Sequence, residues 1–414
     1  MIGERVRRLR DVLGTYRLTR RGLGFLVAGL ALPVVGARAD VGPFVHVGVL
    51  LVALVVCAAV HVAAGHARVA VVRSFRPEVA DPGEPVVVTL SVRSTAVLPS
   101  LHVRWTDRVG SSLVADAHGV LDALGGSSRQ VQVRYALRGT RRGRHPVGPL
   151  ALEAGDPFGL VTRHRSTTHV DHVVVLPRRH GLGDDDRAGR AESGATMPAP
   201  QHVGVGEDDV IARPYVPGDE VRRLHWKATA HRGQLMVRQE EQRVNPSVLV
   251  VLDGSAAAHD AQRDRQGAWE HSPTLEWAIS ACASLVEHLA GGGYVVHVEV
   301  PGTAVQRVVG EGQDTVRDVL VDLAMLEPSG DTAPLTGAAG DVPVVAVLGR
   351  VDERSARTWA RLAGRRSVAL VAHGSPPAAI GVLHDRGWRC VTYRSSDDLR
   401  ALWHEHVEAT GAAR

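Results

Sequence analysis

The sequence predicts a multi-domain protein with an N-terminal transmembrane helical hairpin, an all-β immunoglobulin-like sandwich and a C-terminal α/β domain. Three observations predict this fold class. Two apolar runs without charged residues lie near the N-terminus, and apolar residues then recur with a period of two up to about residue 170. From residue 247 onward, apolar runs alternate with amphipathic stretches. The 414 residues are enough for two or three domains with separate cores.

Residues 1–22 form a basic segment, in which seven arginines oppose only Glu4 and Asp11. Residues 23–65 follow as two predicted transmembrane helices. The run at 44–65 is long enough to cross a bilayer, which needs roughly 17–25 residues, whereas the run at 23–37 is short and contains Pro33. A cleaved signal peptide is the alternative for the first run. The second run begins so soon afterwards that a helical hairpin is the better interpretation.

The distribution of arginine predicts the orientation of the hairpin. The N-terminal segment is rich in arginine, and Arg68, Arg73 and Arg76 follow the second run. By the positive-inside rule, both ends of the hairpin therefore stay in the cytoplasm. We expect a multi-pass protein of the plasma (inner) membrane whose soluble domains are cytoplasmic.

Residues 66–177 predict a small β-sandwich, immunoglobulin-like in outline, because short alternating or β-branched runs are separated by clusters of Gly, Pro, Asp and Ser. The predicted strands cover residues 69–75, 85–92, 101–105, 130–137, 145–152 and 173–177. We interpret Asp156-Pro157-Phe158-Gly159 as a structural turn whose phenylalanine packs inward, and not as a site with a catalytic aspartate. Residues 178–209 are rich in Gly, Asp, Arg, Ala and Pro and predict a flexible linker.

Residues 247–414 predict a mostly parallel sheet covered by helices on both faces. The predicted strands cover residues 248–252, 294–300, 343–348, 367–372 and 389–393. A helix over 273–290 is expected to begin after Ser272 as N-cap. Ligands of such folds gather at the carboxyl ends of the strands, and the first strand ends in Asp253-Gly254-Ser255.

Residues 210–246 differ in composition from the rest of the chain, because they contain Lys227, the only lysine in the sequence. Pro217-Gly218-Asp219 predicts a turn in which the aspartate caps the following helix. We expect that helix over residues 220–231, ended by Gly233, and a strand over residues 235–240.

A set of residues in this segment resembles a family signature. The set consists of Arg213, Tyr215, Pro217, Gly218, Asp219, Arg222, His225, Trp226, Lys227, Ala228 and Leu235. Its spacing resembles the signature of the bacterial family named domain of unknown function 58. The resemblance implies a membrane anchor, a C-terminal domain like von Willebrand factor A and a MoxR-type AAA+ ATPase as partner. It implies no established chemistry.

A von Willebrand A domain would bind a divalent cation through Asp-x-Ser-x-Ser after its first strand, since carboxylate and hydroxyl oxygens suit Mg²⁺. Asp253 and Ser255 match this pattern, but Ala257 occupies the second serine position. We find no clear downstream threonine, and Asp352 is a loose candidate for the later aspartate. The sequence thus predicts at most a degenerate Mg²⁺ site. The alternative is that Asp253 and Ser255 only cap the loop.

The family signature has three interpretations. The favoured one is a structural joint or interaction surface, with Trp226 packed between the domains and no catalytic residue. In an enzyme, His225 would act as general base, Asp219 as its partner or a metal ligand, and Lys227 or Arg222 as an anion clamp. Asp219 and His225 are six residues apart, however, and do not share a face of a helix. The third interpretation is phosphate binding at the turn.

Composition excludes several function classes. A net charge of +4 with 4% aromatic residues argues against nucleic-acid binding. Cys57, Cys282 and Cys390 are too few and too widely spaced for a disulfide framework or a zinc site. No Gly-x-x-x-x-Gly-Lys motif for ATP is present. We therefore expect a non-enzymatic, membrane-anchored scaffold or assembly factor for protein partners, and the alternative is a membrane-tethered, metal-dependent hydrolase.

Overall fold

The structure is a computed structural model of the 414-residue chain. It describes residues 15–64, 69–96, 99–126, 130–183, 212–216, 224, 226–238, 246–265, 267, 269–310, 314–330, 342–364 and 366–405. The chain divides into two compact units. The first comprises Met1–Arg178 and Leu323–Leu326, and the second comprises Arg179–Asp322 and Glu327–Arg414.

Two long apolar helices open the first unit. Helix α1 spans Arg20–Ala39 and helix α2 spans Gly42–Ala64, and both are long and apolar enough to cross a membrane. The two predicted helices are therefore present. They pack closely because a glycine lies at the contact: Gly48 of α2 faces the ring of Pro33, and a Cβ added there would overlap the ring. Pro33 is accommodated within α1, as the sequence predicts.

A short strand precedes α1 and was not predicted. Strand β1, Thr15–Leu18, pairs antiparallel with Val161–His164 of a later strand. Four residues of a basic segment carry too little pattern to predict a strand, and a partner far away in sequence supplies the hydrogen bonds. Part of the predicted basic N-terminus thus belongs to the folded unit.

Ten further strands form a two-sheet sandwich. They are β2 Val69–Arg76, β3 Val79–Ala80, β4 Pro85–Ser94, β5 Ser100–Val109, β6 Leu113–Ala115, β7 His118–Leu124, β8 Gln130–Gly139, β9 Gly143–Gly155, β10 Val161–Ser166 and β11 Asp171–Val175. One sheet has the order β2-β4-β8-β6. The other has the order β1-β10-β9-β11-β3, with β5 paired to β9 and β7 paired to β5. The core includes Val88, Leu90, Leu137 and Leu150, all fully buried.

The turn at Asp156 is structural, as predicted, but its anchor is a different residue. The Asp156 carboxylate accepts hydrogen bonds from the backbone N–H groups of Phe158 (2.8 Å), Leu160 (2.7 Å) and Val161 (2.6 Å). Phe158 is 62% exposed, so the prediction that it packs inward is wrong. Leu160 takes that role because it is buried against α2, where it contacts a cluster that includes Val62.

The second unit contains a six-stranded sheet of order β16-β15-β14-β17-β18-β19. Its strands are β14 Ser247–Leu252, β15 Val295–Glu299, β16 Gln306–Val309, β17 Val344–Leu348, β18 Val368–Ala372 and β19 Arg389–Tyr393. Five strands are parallel, as predicted, whereas the unpredicted β16 is antiparallel to β15. Every residue of β17 and β18 is buried, so both faces of the sheet are covered.

Helices alternate with these strands. The second unit contains α3 Trp226–Arg232, α4 Pro273–Gly291, α6 Glu353–Trp359, α7 Pro377–His384 and α8 Leu399–Trp403. Helix α5, Val316–Met325, has residues in both units. Helix α4 begins as predicted, with the Ser272 hydroxyl accepting the N–H of Leu275 (3.3 Å). Helix α4 packs on β14, β15 and β17, and α6 and α7 share a core with alternate residues of the central strands.

The predicted linker is described only at its start. Arg179 forms an ion pair with Glu287 on α4 (2.6 Å), the N–H of His180 donates to the Ser284 hydroxyl (2.9 Å), and Leu182 is buried. Residues 184–209 lie outside the described part of the chain.

Candidate functional site

The described residues of the family signature form a small strand and helix module. Strand β12, Ala212–Pro214, pairs antiparallel with β13, Met236–Arg238, and α3 lies between them in sequence. Gly233, at φ 70°, follows α3 as predicted. The predicted start of the helix was wrong, because Leu224 forms an extended bridge with Val237 and α3 begins at Trp226. We call the described residues 212–216, 224 and 226–238 the signature module.

Some apolar residues of the signature module are buried and others are exposed. Met236 and Val237 are buried, and the Thr229 hydroxyl accepts the N–H of Met236 (3.0 Å). By contrast, Trp226 is 67% exposed, Val216 55% and Leu235 47%. The expectation that Trp226 packs between the domains stays a prediction. A large exposed apolar side chain marks a surface that other molecules can cover.

The remaining signature residues are placed only in part. The backbone of Arg213 lies in β12, the N–H of Tyr215 donates to the carbonyl of Leu235 (2.8 Å), and Lys227 is exposed on α3. The other predicted residues lie outside the described residues: Gly218, Asp219, Arg222 and His225. The hydrolase interpretation, which depends on Asp219 and His225, therefore stays a prediction.

Asp253 occupies the point of the sheet where ligands of parallel α/β folds gather. From β14 the chain continues to β15 on one side, and β17 lies on the other side, so the carboxyl ends of β14 and β17 flank a topological switch point. The N–H of Asp253 donates to the carbonyl of Val347 at the end of β17 (2.9 Å). Asp253 is 2% exposed, and this burial raises the pKa of its carboxyl group.

His259 supports the backbone of Asp253. Its Nε2 donates to the Asp253 carbonyl oxygen (2.7 Å), which assigns the ring proton to Nε2 because a carbonyl only accepts. Burial lowers the pKa of His259, which favours the neutral imidazole. Its Nδ1 is buried without a hydrogen-bond partner in the described structure.

The structure brings Ser329 to this site, which the sequence did not predict. The Ser329 N–H donates to the Gly254 carbonyl (2.8 Å), and its carbonyl accepts the N–H of Ala256 (2.8 Å). The hydroxyl oxygens of Ser255 and Ser329 are both buried without a hydrogen-bond partner among the described residues. The Ser255 hydroxyl lies near the Asp253 carboxylate without completing a hydrogen bond, although its N–H donates to that carboxylate (3.0 Å).

These donors fit a weakly held Mg²⁺. One carboxylate and two unpartnered hydroxyls are hard oxygen ligands, and Mg²⁺ usually keeps several waters besides one or two carboxylates. No group of three His, Cys, Asp or Glu side chains that could hold a metal occurs in the described ranges. Asp352 does not join the site, because it caps α6 by accepting the N–H of Ser355 (2.7 Å), a contact that lowers its pKa. A search for serine as well as threonine could have suggested Ser329.

Comparison with known proteins supports the resemblance for part of the chain. Residues 211–355 match the family model described as "Protein of unknown function DUF58". The match covers about a third of the chain and includes the signature module, Asp253, Ser255 and Ser329. The predicted resemblance is confirmed for these residues.

One curated relative and two solved structures illustrate how far similarity extends. The chain is 26% identical over 125 residues to "Uncharacterized protein YeaD" of Bacillus subtilis. These residues are 30% of this chain and 31% of that protein. This chain therefore spans less than a third of the length of that relative. An α-2-macroglobulin fragment from Escherichia coli has a TM-score of 0.22 and 13% identity, covering 28% of this chain and 18% of that one. The CARDB domain of the PF1109 protein from Pyrococcus furiosus has a TM-score of 0.18 and 11% identity, covering 24% and 87%.

Proposed function

We propose that this chain is a membrane-anchored, non-enzymatic scaffold that binds protein partners on the cytoplasmic face of the plasma membrane through its signature module. The observation that carries the proposal is the exposure of Trp226, at 67%, on a module otherwise held by buried Met236 and Val237. Tryptophan is among the residues that contribute most to protein interfaces, and folding alone gives no reason to leave it in water.

Other residues of the signature module also fit an interface. Val216 and Leu235 add exposed apolar area, and the hydrogen bond from Tyr215 to Leu235 holds these two parts together. Lys227, which follows Trp226 in the sequence, is also exposed and adds a basic side chain to the module. An apolar centre with a charged rim is the usual composition of a protein interface.

Membrane anchoring is supported by the first unit. Helices α1 and α2 are long and apolar enough to span a bilayer, and Arg20 and Arg21 lie at the start of α1. Phe158 lies beside that start, because Gly159 and Leu160 are hydrogen-bonded to Thr19, the N-cap of α1. An exposed aromatic side chain and arginines at the end of a span suit the lipid headgroup region, and positive charge favours the cytoplasmic side.

The sheet of the second unit supports a domain like von Willebrand factor A. Its strand order with one antiparallel strand, and Asp253 at the switch point, are the features that favour this assignment. Asp253, Ser255 and Ser329 would hold Mg²⁺ there. The open coordination positions of the ion would be available to a carboxylate of a partner protein.

A MoxR-type AAA+ ATPase is the partner that the family resemblance suggests. The sequence lacks a Gly-x-x-x-x-Gly-Lys motif, so a partner would have to supply ATP hydrolysis. In this arrangement the chain holds the ATPase at the membrane, where the pair would act on a further protein or on the cell envelope.

Binding of the ATPase to the full-length chain in detergent tests the proposal. We expect Trp226→Ala to weaken binding by about 30-fold or more, which is the ~2 kcal/mol of an interface hot spot, and Lys227→Ala to weaken it less. Val114→Ala and Arg361→Ala, which change exposed residues elsewhere, serve as matched controls. Equal binding by Trp226→Ala and wild type would contradict the scaffold. Metal-dependent turnover lost only in His225→Ala would favour the hydrolase instead.

A further inference from the structure

The outward face of the sheet β2-β4-β8-β6 carries arginines and no acid. Alternate residues of its three long strands, β2, β4 and β8, point outward from the sandwich core. The exposed arginines among them are Arg76, Arg93, Arg134 and Arg138. None of the four strands contains Asp or Glu. This face of the sandwich is therefore basic.

Three of these arginines surround an apolar pair. In the register of the sheet, Val87 on β4 lies opposite Arg76 on β2 and opposite Ala136 on β8. Arg134 and Arg138 lie two residues before and after Ala136 on the same strand. Neighbouring strands are about 4.8 Å apart and residues two apart in a strand are about 7 Å apart, so all three arginines start close to the pair. We call these five residues the basic sheet face.

The basic sheet face is open to solvent. Val87 is 43% exposed, and Ala136 and the three arginines are exposed as well. Among the described residues, no hydrogen bond or ion pair engages the side chain of Arg76, Arg134 or Arg138. Their charges are therefore available to a molecule that covers the sheet.

The acids at the ends of the strands do not neutralise this charge. Glu78 follows β2 and Asp116 follows β6, and both are exposed without an ion pair to the arginines of the basic sheet face. Glu84, which precedes β4, accepts the backbone N–H of Asp81 (3.0 Å). A partner that brings carboxylates to the basic sheet face thus meets no competing acid on the sheet.

We propose that the basic sheet face docks an acidic amphipathic helix of a partner protein. The inference depends neither on the signature module nor on the membrane anchor. An apolar centre with a polar rim is typical of a protein interface, in which arginine is enriched. Guanidinium groups hold carboxylates through paired N–H donors. Three strands about 4.8 Å apart form a strip about 10 Å wide, which matches the diameter of one helix.

Two other occupants fit the basic sheet face less well. A lipid surface would offer phosphates to the arginines but would leave Val87 and Ala136 in polar surroundings. A second copy packed through the same face would bring arginine against arginine, and facing like charges are unfavourable. An acidic amphipathic helix satisfies the arginines and the apolar pair together.

Peptide binding to the full-length chain in a non-ionic detergent tests the proposal. The probe is a helical peptide of about 20 residues with an alanine stripe flanked by glutamates, and its matched peptide has glutamine in place of glutamate. Fluorescence anisotropy measures the Kd of both peptides. We expect wild type to bind the glutamate peptide about tenfold more tightly than the glutamine peptide, because several exposed ion pairs act together.

Variants of the basic sheet face separate the charges from the apolar pair. We expect Arg134→Gln with Arg138→Gln to reduce the preference for glutamate to about threefold or less. We expect Val87→Thr to weaken both peptides by a similar factor and to keep the preference, because it removes apolar contact and no charge. An unchanged Kd for both peptides in Val87→Thr would overturn the apolar pair as the centre of the interface.

The matched control is Arg354→Gln with Arg361→Gln, since both arginines are exposed in the second unit and the same charge is removed. Thermal unfolding checks the fold of each variant. We expect this control to keep the preference of wild type. Equal Kd values for the two peptides in wild type, or the same loss of preference in the control, would overturn the inference.

Two further measurements test the other occupants. Native mass spectrometry gives the Kd for dihexanoyl phosphatidylglycerol, and tighter binding of this lipid than of the glutamate peptide, lost in Arg134→Gln with Arg138→Gln, would assign the face to lipid. Sedimentation gives the oligomeric state, and a wild-type dimer that dissociates in the same double variant would assign the face to a second copy. Either result would overturn the inference, and we expect neither.

Discussion

The hydroxyl of Thr19 donates a hydrogen bond to the carbonyl oxygen of Gly159 (2.7 Å), and the N–H of Thr19 donates to that of Leu160 (2.9 Å). The same hydroxyl accepts the N–H of Gly22 (3.0 Å) and so caps α1. Helix α1 therefore starts directly on the turn that Asp156 organises. This contact couples the direction of the proposed membrane span to the β-sandwich.

Gly22→Ala should disturb this junction. A Cβ at Gly22 would overlap the carbonyl oxygen of Leu160, so the helix or the turn must move, at a cost of about 1–3 kcal/mol. Gly24→Ala is the matched control, because a Cβ at Gly24 meets no atom within 4 Å. We expect faster hydrogen exchange at residues 156–161 in Gly22→Ala only. The same exchange rate in both variants would contradict the described contact.

Asp107→Ala should weaken the sandwich. Asp107 on β5 pairs with Arg73 on β2 through two contacts (2.7 and 2.8 Å), and both side chains are fully buried, so the pair joins the two sheets. Loss of one partner from a buried ion pair costs about 3–5 kcal/mol. Hydrogen exchange of β4 and β8 measures the effect. The exposed Asp122→Ala serves as control, and equal exchange in the two variants would count against the pair.

Tyr135 and Tyr393 should resist ionisation at high pH. Burial raises the pKa of both groups, and the Tyr135 hydroxyl also donates to the Asp107 carboxylate (2.7 Å). A tyrosine whose pKa is raised in the folded state holds its proton more tightly there than in the unfolded chain. Both groups therefore stabilise the folded state at pH values below the ordinary tyrosine pKa of about 10, and this contribution is lost as the pH rises above that value.

Tyrosinate absorbance of the full chain checks this at pH 11. We expect Tyr135 and Tyr393 to ionise only when the protein unfolds, and Tyr135→Phe to lower the absorbance gained on unfolding. Immediate ionisation of all tyrosines in the folded protein would show that this burial is absent.

Mg²⁺ should stabilise the second unit if Asp253, Ser255 and Ser329 hold it. At 100 times its Kd, a bound ion stabilises the folded state by about 2.7 kcal/mol. We expect Asp253→Asn and Ser329→Ala to lose this gain. Without Mg²⁺, Asp253→Asn should be no less stable than wild type, because a buried charge is removed.

Asp260→Asn is the control for charge, since its side chain is 57% exposed beside this site. Thermal unfolding with and without Mg²⁺ gives the comparison. If Mg²⁺ stabilises wild type and Ser329→Ala equally, Ser329 is not a ligand. If Mg²⁺ does not stabilise wild type, Asp253 and Ser255 only cap the loop.

Several elements could be predicted from the sequence because their signals are local. The apolar runs of α1 and α2 are continuous in the sequence, and Ser272 with Pro273 marks the start of α4 within two residues. Alternation of apolar residues predicted strands such as β4 and β8, and Gly233 marked the end of α3. Asp253 could be placed at the end of a central strand because the apolar run before it stops there.

The tertiary structure decided what depends on pairing between distant segments. Strand β1 exists because β10 supplies its hydrogen bonds, and Leu224 leaves the predicted helix because Val237 pairs with it. Ser329 comes beside Ser255 only when the loop following α5 forms backbone hydrogen bonds with Gly254 and Ala256. Val62 lines a cavity with Val103 and Leu152 only when α2 packs on the sandwich. The sequence by itself determined where the apolar runs and several helix ends lie, but not the exposure of every large side chain, since Phe158 and Trp226 are exposed. Backbone hydrogen bonds and packing between distant segments determined which polar groups came together. The sequence of one segment does not specify which distant segment pairs with it, or in which register.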